Sequence, residues 1–282
     1  MGVPTEVAGG SNLLIFVGLV SHGDIAMQRI TLLTLKNIVA GLGCLLLPGL
    51  FVSVCVGQAP AGFDTLFDGK SLAGWVVPEG DNGHWKVVDG VIDYDAASEA
   101  KGDKNLWTEK EYGDFVLMLD WRLKKTTGHY NVPVVLSNGT HLKDATGKDI
   151  TIPLPNADSG IYLRGQSKSQ VNIWCWPIGS GEVYSYRMNK KLPPAVRAGV
   201  TPRVNADNPV GQWNTFIVVM VGDRLTVINN GQTVIENAQL PGVPERGKFA
   251  LQHHGGLRNG KYSPASSLIQ FRNIYIKELD AK

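Results

Sequence analysis

Asp158, Glu182 and His254 can give or take protons, and Arg164 can hold an anion at any physiological pH. Carboxyl and imidazole groups serve as general acids, general bases or metal ligands, and Asp120 joins them by type. The spacing around Arg164 says how such groups would be presented. Ile161 and Leu163 alternate with Tyr162 and Arg164, the period of a strand with two unlike faces. With Ile161 and Leu163 inward, Tyr162 and Arg164 share the other face, where an arginine beside an aromatic suits a polar, ring-shaped ligand. Gly160 lets a neighbouring backbone or a ligand come close. Glu182 follows the bend Gly179-Ser180-Gly181, which turns the chain back toward the same sheet. His253 and His254 adjoin, so in a strand only one of them enters a given pocket, and His254 is the candidate. Trp174 and Trp176 fall on one face, with Cys175 on the other; they read as a stacking platform for sugar rings or as core. The plain alternatives are a solvated arginine on a half-exposed strand and a hydrogen-bonded histidine at a strand end.

The elements that must position these residues are short strands. Residues 85–88 and 91–94 flank Asp89-Gly90, a two-residue hairpin signature. Residues 115–123 alternate Phe115, Leu117, Leu119 and Trp121 with Val116, Met118, Asp120 and Arg122, a long strand with Asp120 and Arg122 on one face. Residues 213–221, 224–228 and 232–236 form a meander through Gly222-Asp223 and Asn229-Asn230-Gly231, and 247–253 and 268–279 supply two more strands. Residues 124–157 are rich in Gly, Asn, Pro and Thr; a connection of that length is functional or mobile, and it reads as an excursion over one end of a sandwich. Residues 190–209 read as a second long connection. Past the leader no segment sustains a helical period, and no internal repeat suggests a propeller or solenoid. The pattern predicts an all-β, antiparallel sandwich with helix nearly absent from residue 62 onward.

Ahead of the strands, Arg29 and Lys36 precede an apolar run over 38–56 and then the small residues Gly57-Gln58-Ala59, the order of a secretion signal. A membrane anchor is the competing reading, and Pro48-Gly49 favours cleavage. The division expected is therefore 1–61 as extension and signal and 62–280 as one domain, exported to the periplasm or beyond, with no membrane partner after cleavage. The 27 Lys and Arg against 25 Asp and Glu give a formal charge of +2 with no basic stripe, which argues against nucleic acid. Beyond the leader only Cys175 remains, so the domain relies on its core and not on a disulfide.

At this point the blocks carry a resemblance. Leu66-Phe67-Asp68-Gly69-Lys70-Ser71-Leu72-Ala73-Gly74-Trp75 is similar to the opening of the 3-keto-disaccharide hydrolase domain family. The segments 114–122, 158–164, 181–182, 213–214, 230–231, 251–255 and 271–274 resemble later blocks of that family in the same order. Asp158 stands where the family more often shows Asn, and His253 where an acidic residue is common. The resemblance implies a jelly-roll sandwich of the concanavalin A-like or laminin G-like type, bacterial export and action on oxidised glycosides. A 3-keto sugar has an acidic hydrogen at C2; a base removes it, the C1–O bond breaks by elimination, and water adds to the product. Such a site needs a base, an acid for the leaving oxygen and an electrophile for the enolate oxygen. Glu182 or His254 is expected as base and Arg164 as enolate stabiliser, converging on a concave face beneath the excursion. Asp158, Asp120, Tyr162, Trp174 and Trp176 are expected to bind the carbohydrate. A divalent cation with oxygen ligands is compatible with this residue set, though no HxH or CxxC spacing marks one. Two other classes compete: a non-catalytic, lectin-like carbohydrate-binding module with an open aromatic groove, and an adhesive envelope domain with an exposed apolar patch.

Overall fold

The computed structural model of the chain describes residues 58–255, 257–258, 261–262 and 267–279; the basic-then-apolar leader lies outside the described residues. In chain order the strands are β1 (Asp64–Thr65), β2 (Trp75–Val76), β3 (Lys86–Val88), β4 (Val91–Tyr94), β5 (Leu106–Thr108), β6 (Phe115–Leu123), β7 (His129–Pro133), β8 (Thr151–Pro155), β9 (Asp158–Leu163) and β10 (Gln166–Trp174). Two short helices follow, α1 (Tyr184–Met188) and α2 (Pro194–Gly199). Then come β11 (Asn214–Val221), β12 (Arg224–Asn229), β13 (Gln232–Gln239), β14 (Ala250–Leu251), β15 (Leu257–Arg258), β16 (Lys261–Tyr262) and β17 (Ile269–Glu278).

Two antiparallel sheets face each other. The larger runs β13-β12-β11-β6-β17-β4-β3, with β1 on β17, and the smaller runs β10-β9-β14-β5-β2. Period-2 patterning makes the core: Phe115, Leu117, Leu119 and Trp121 of β6 and Phe216, Val218 and Met220 of β11 meet Ile161, Leu163, Val171 and Ile173 of β9 and β10. Both expected hairpins close as two-residue turns with positive φ at each centre, 50° and 77° at Asp89-Gly90 and 50° and 79° at Asn230-Gly231. The sandwich is thus the all-β class that the turn signals and alternation predict.

Two local expectations change. The connection read over 190–209 holds α2, with α1 just before it; Pro193 and Pro194 open α2 because a proline at the first helical position loses no hydrogen bond. The predicted strand over 247–253 is only the two residues of β14, because beyond Leu251 the chain bonds to neighbouring strands singly, as Gln252 does to Gly160.

The excursion over 124–157 folds on itself. β7 and β8 pair from His129 opposite Pro155 to Pro133 opposite Thr151, and bridges at Val135–His141 and Lys143–Asp149 extend the ladder. Its apolar side (Val132 with Tyr130, Val135, Ile152 and Leu154) packs on Trp174 and Trp176 as a second small core. Gly139 seats the tip: a Cβ there would lie 2.9 Å from the Arg197 carbonyl, and its φ is +78°.

Candidate active site

The smaller sheet turns Ile161, Leu163, Val171 and Ile173 into the core, so the alternate positions Asp158, Tyr162, Gln170, Asn172 and Trp174 share its outward face. Ladder register places His254 on that face as well. Ala250 is opposite Tyr162 and Leu251 opposite Ile161, which carries His254 to the level of Asp158. The His254 Nε2 lies 3.6 Å from Asp158 Oδ2. Ser267 fixes the two backbones together, its hydroxyl donating to the Asp158 carbonyl at 3.0 Å while accepting from the His254 N–H. His253 turns the other way: Tyr94 donates to its Nδ1 and its Nε2 donates to the Gly255 carbonyl, so the two histidines separate as predicted.

Burial sets the chemistry of the pair. The Asp158 carboxyl is pushed up to about 8 because desolvation disfavours its charged form. Desolvation also pushes His254 down. Near neutral pH both groups are therefore uncharged, a protonated carboxyl beside a neutral imidazole. The imidazole side chain is 41% exposed, so an arriving ligand can reach the pair.

Glu182 is on the same sheet but is closed off. The bend that carries it is held by Asp207, whose Oδ2 accepts from the Ser180 N–H and hydroxyl, each at 2.9 Å. The chain then runs beside β10, with Asn172 donating to the Glu182 carbonyl from both its backbone and side-chain nitrogens at 2.9 Å. The Glu182 side chain is fully buried and pairs with Arg187 Nε, and Arg187 is 1% exposed. Arg187 Nη1 donates to His141 Nε2 at 3.0 Å, and the His141 Nδ1 then donates to Asp149 at 2.8 Å. Burial pushes the Arg187 guanidinium down to about 10, still charged at neutral pH. This chain of groups latches the excursion to the sheet. It also removes Glu182 from the role of base, because a carboxylate sealed against a guanidinium cannot reach a substrate.

Arg164 departs from its expected place for a backbone reason. With Leu163 opposite Gln166, Arg164 and Gly165 form the two-residue turn between β9 and β10, with φ of 51° and 76°. Alternation ends at the turn, and the side chain goes between the sheets instead of onto the outward face. There it is 1% exposed and donates to the carbonyls of Gly113 (3.1 Å), Gly222 (2.6 Å) and Pro244 (3.0 Å) and to Asp114 (2.8 Å). It sits at the opposite end of β9 from Asp158, roughly 20 Å away at about 3.3 Å per residue. Arg164, Glu182 and His254 do not converge.

Asp120 is on the larger sheet, facing away from the core, where it accepts from Thr215 (2.7 Å), Arg272 (3.2 Å) and Asn273 (2.8 Å). It is remote from Asp158 because its strand belongs to the other layer. Trp174 and Trp176 do share a face, but they stack on each other with centroids 4.2 Å apart and planes 8° from parallel. Both are buried under the excursion, so they form core and not a platform. The exposed aromatic at this place is Tyr184, which meets both rings edge-on. Tyr162 is on the outward face as predicted, next to Trp107, and its hydroxyl bonds Gln252. The close approach at Gly160 is by a neighbour: the Gln170 side chain lies across it, and a Cβ would be 2.7 Å from the Val171 carbonyl.

Sequence reading missed Arg187, His141, Tyr184 and Tyr130. The one signal for Arg187 was an opposite charge five residues after Glu182, a spacing that no regular element brings together. A half-open cavity of about 250 Å³ borders Trp174, Cys175, Trp176 and Asp207 but not Asp158 or His254. Among the described residues no three His, Cys, Asp or Glu side chains gather into a set that could hold a metal ion.

The fold has solved counterparts. A crystal structure from Parabacteroides distasonis, designated "putative glycosyl hydrolase", is 21% identical with a TM-score of 0.50, over 78% of this chain and 85% of that one. A second structure with the same designation and organism is 21% identical with a TM-score of 0.48, over 78% and 95%. A comparison with curated proteins gave no match. The profile of the 3-keto-alpha-glucoside-1,2-lyase-like domain matches residues 62–277, and the chain belongs to that family of carbohydrate-active domains.

Proposed function

We propose that this chain cleaves 3-keto-glycosides by removing the C2 proton, eliminating the C1 substituent and hydrating the product, with Asp158 and His254 as the proton-transfer pair. The observation that carries this reading is the placement of a carboxyl raised to about 8 beside a neutral imidazole on a reachable sheet face. A carboxylate of raised pKa removes a C2 hydrogen next to a ketone with more driving force than an ordinary carboxylate does. Tyr184 offers an exposed ring to the sugar beside Trp174 and Trp176. The family's name and the designations of its structural counterparts agree in substrate class.

The test is turnover of a 3-keto-disaccharide beside the matching unoxidised disaccharide. The parent should release the leaving sugar from the keto form alone. Asp158→Asn and His254→Ala should each lower turnover by about two to four powers of ten while remaining folded. Parent protein that binds either sugar but releases nothing would favour the lectin-like reading.

A further inference from the structure

Tyr130 is the residue of the excursion best placed to act on the same substrate. It lies in β7 opposite Leu154, and Trp176 Nε1 donates to its hydroxyl at 2.6 Å. That bond occupies an acceptor site on the phenol oxygen and leaves the phenol's own proton for donation to another group. Two independent tethers bring it toward Asp158. Trp174, on which Trp176 stacks, is the ladder partner of Asp158, and Asn156, two residues before Asp158, exchanges backbone bonds with Thr127 and Gly128. The phenol and the Asp158 carboxyl are within electrostatic range, and burial pushes the phenol up to about 12, so it is a donor and not a base at neutral pH.

We propose that Tyr130 is the catalytic acid that protonates the departing glycosidic oxygen. This rests on the proposed elimination at the Asp158–His254 pair. The pair takes the C2 proton, the electrons of the C2–H bond form the C1–C2 double bond, and the C1–O bond breaks. The leaving oxygen takes the Tyr130 proton and departs as an alcohol. The tyrosinate is then reprotonated with the proton taken from C2, by way of the pair and water, so no charge or atom is left over.

Separating the two half-steps tests it. In deuterated water, exchange of the C2 hydrogen reports the base and release of the leaving sugar reports the acid. Tyr130→Phe, checked for folding by near-UV circular dichroism, should keep C2 exchange within a few-fold of parent while release falls at least ~100-fold. An aryl 3-keto-glucoside, whose phenolate leaves without help, should restore most of the lost rate. Asp158→Asn should lose exchange and release together. If folded Tyr130→Phe releases a disaccharide's leaving sugar at the parent rate, or loses the aryl substrate equally, the assignment to Tyr130 falls while the elimination stands. If the parent itself neither exchanges nor releases, the elimination reading falls and takes the assignment with it.

Discussion

Asp158 binds a proton more tightly in the folded chain than in the unfolded one, and this has a sign. Its pKa rises from the usual ~3.9 to about 8, so between those values the folded state holds a proton that the unfolded chain has released. Its contribution to stability is complete below about pH 4 and is lost as the pH rises through 8. His254 works the other way: burial lowers it, so its contribution is intact above about 6.5 and is lost as the pH falls below that. The melting temperature of Asp158→Asn should therefore gain on the parent's from about pH 5 to pH 9, read by calorimetry across buffers. In the parent, kcat/KM should climb with pH through about 8 as the carboxyl ionises. A flat profile would remove Asp158 from the base. A different cost governs Glu182. Arg187→Met leaves a fully buried carboxylate without its partner and should cost about 3–5 kcal/mol in urea unfolding. Adding Glu182→Gln to that variant should recover a large part of the loss, because the buried charge is then gone.

Among the elements, the β9–β10 hairpin shows how far alternation can be trusted. It was right for Ile161, Tyr162 and Leu163 and failed at Arg164, the first residue outside the ladder. A left-handed φ costs a non-glycine residue roughly 1–2 kcal/mol, and four bonds from the buried guanidinium offset it. Arg164→Ala should consequently act on stability, by about 3 kcal/mol or more, and leave the kcat of the folded fraction near parent. A loss of kcat at full stability would return Arg164 to the site. The sandwich and its turns were legible because Asp-Gly and Asn-Gly demand particular dihedrals and because β6 alternates without interruption. The pairing of Asp158 with His254 was not, since it depends on which strands become neighbours. Nor was the latch from Glu182 to Asp149, which joins α1 to the excursion through side chains 33 residues or more apart in sequence. Trp174 and Trp176 were read as sharing a face, but sequence could not say that the excursion would cover that face.

For the molecule as a whole, no helix among the described residues is long and apolar enough to cross a membrane. We propose that the leader directs export and is removed, so that N-terminal sequencing of native protein should find a start between residues 57 and 62. Retention of residues before Ile38 would favour an anchor. The excursion carries a further consequence through the way it is rooted. It leaves and rejoins the sandwich at one spot, where Thr127 donates to Asn156 and Asn156 to Gly128, each at 2.9 Å. Closing a connection across such a fixed gap depends only weakly on its length. The segment can therefore change in length at little closure cost, provided that a replacement still covers Trp174 and Trp176 and still partners Arg187. Under the proposed mechanism, such a replacement would change the surroundings of Tyr130 and leave Asp158 and His254 in place on the sheet.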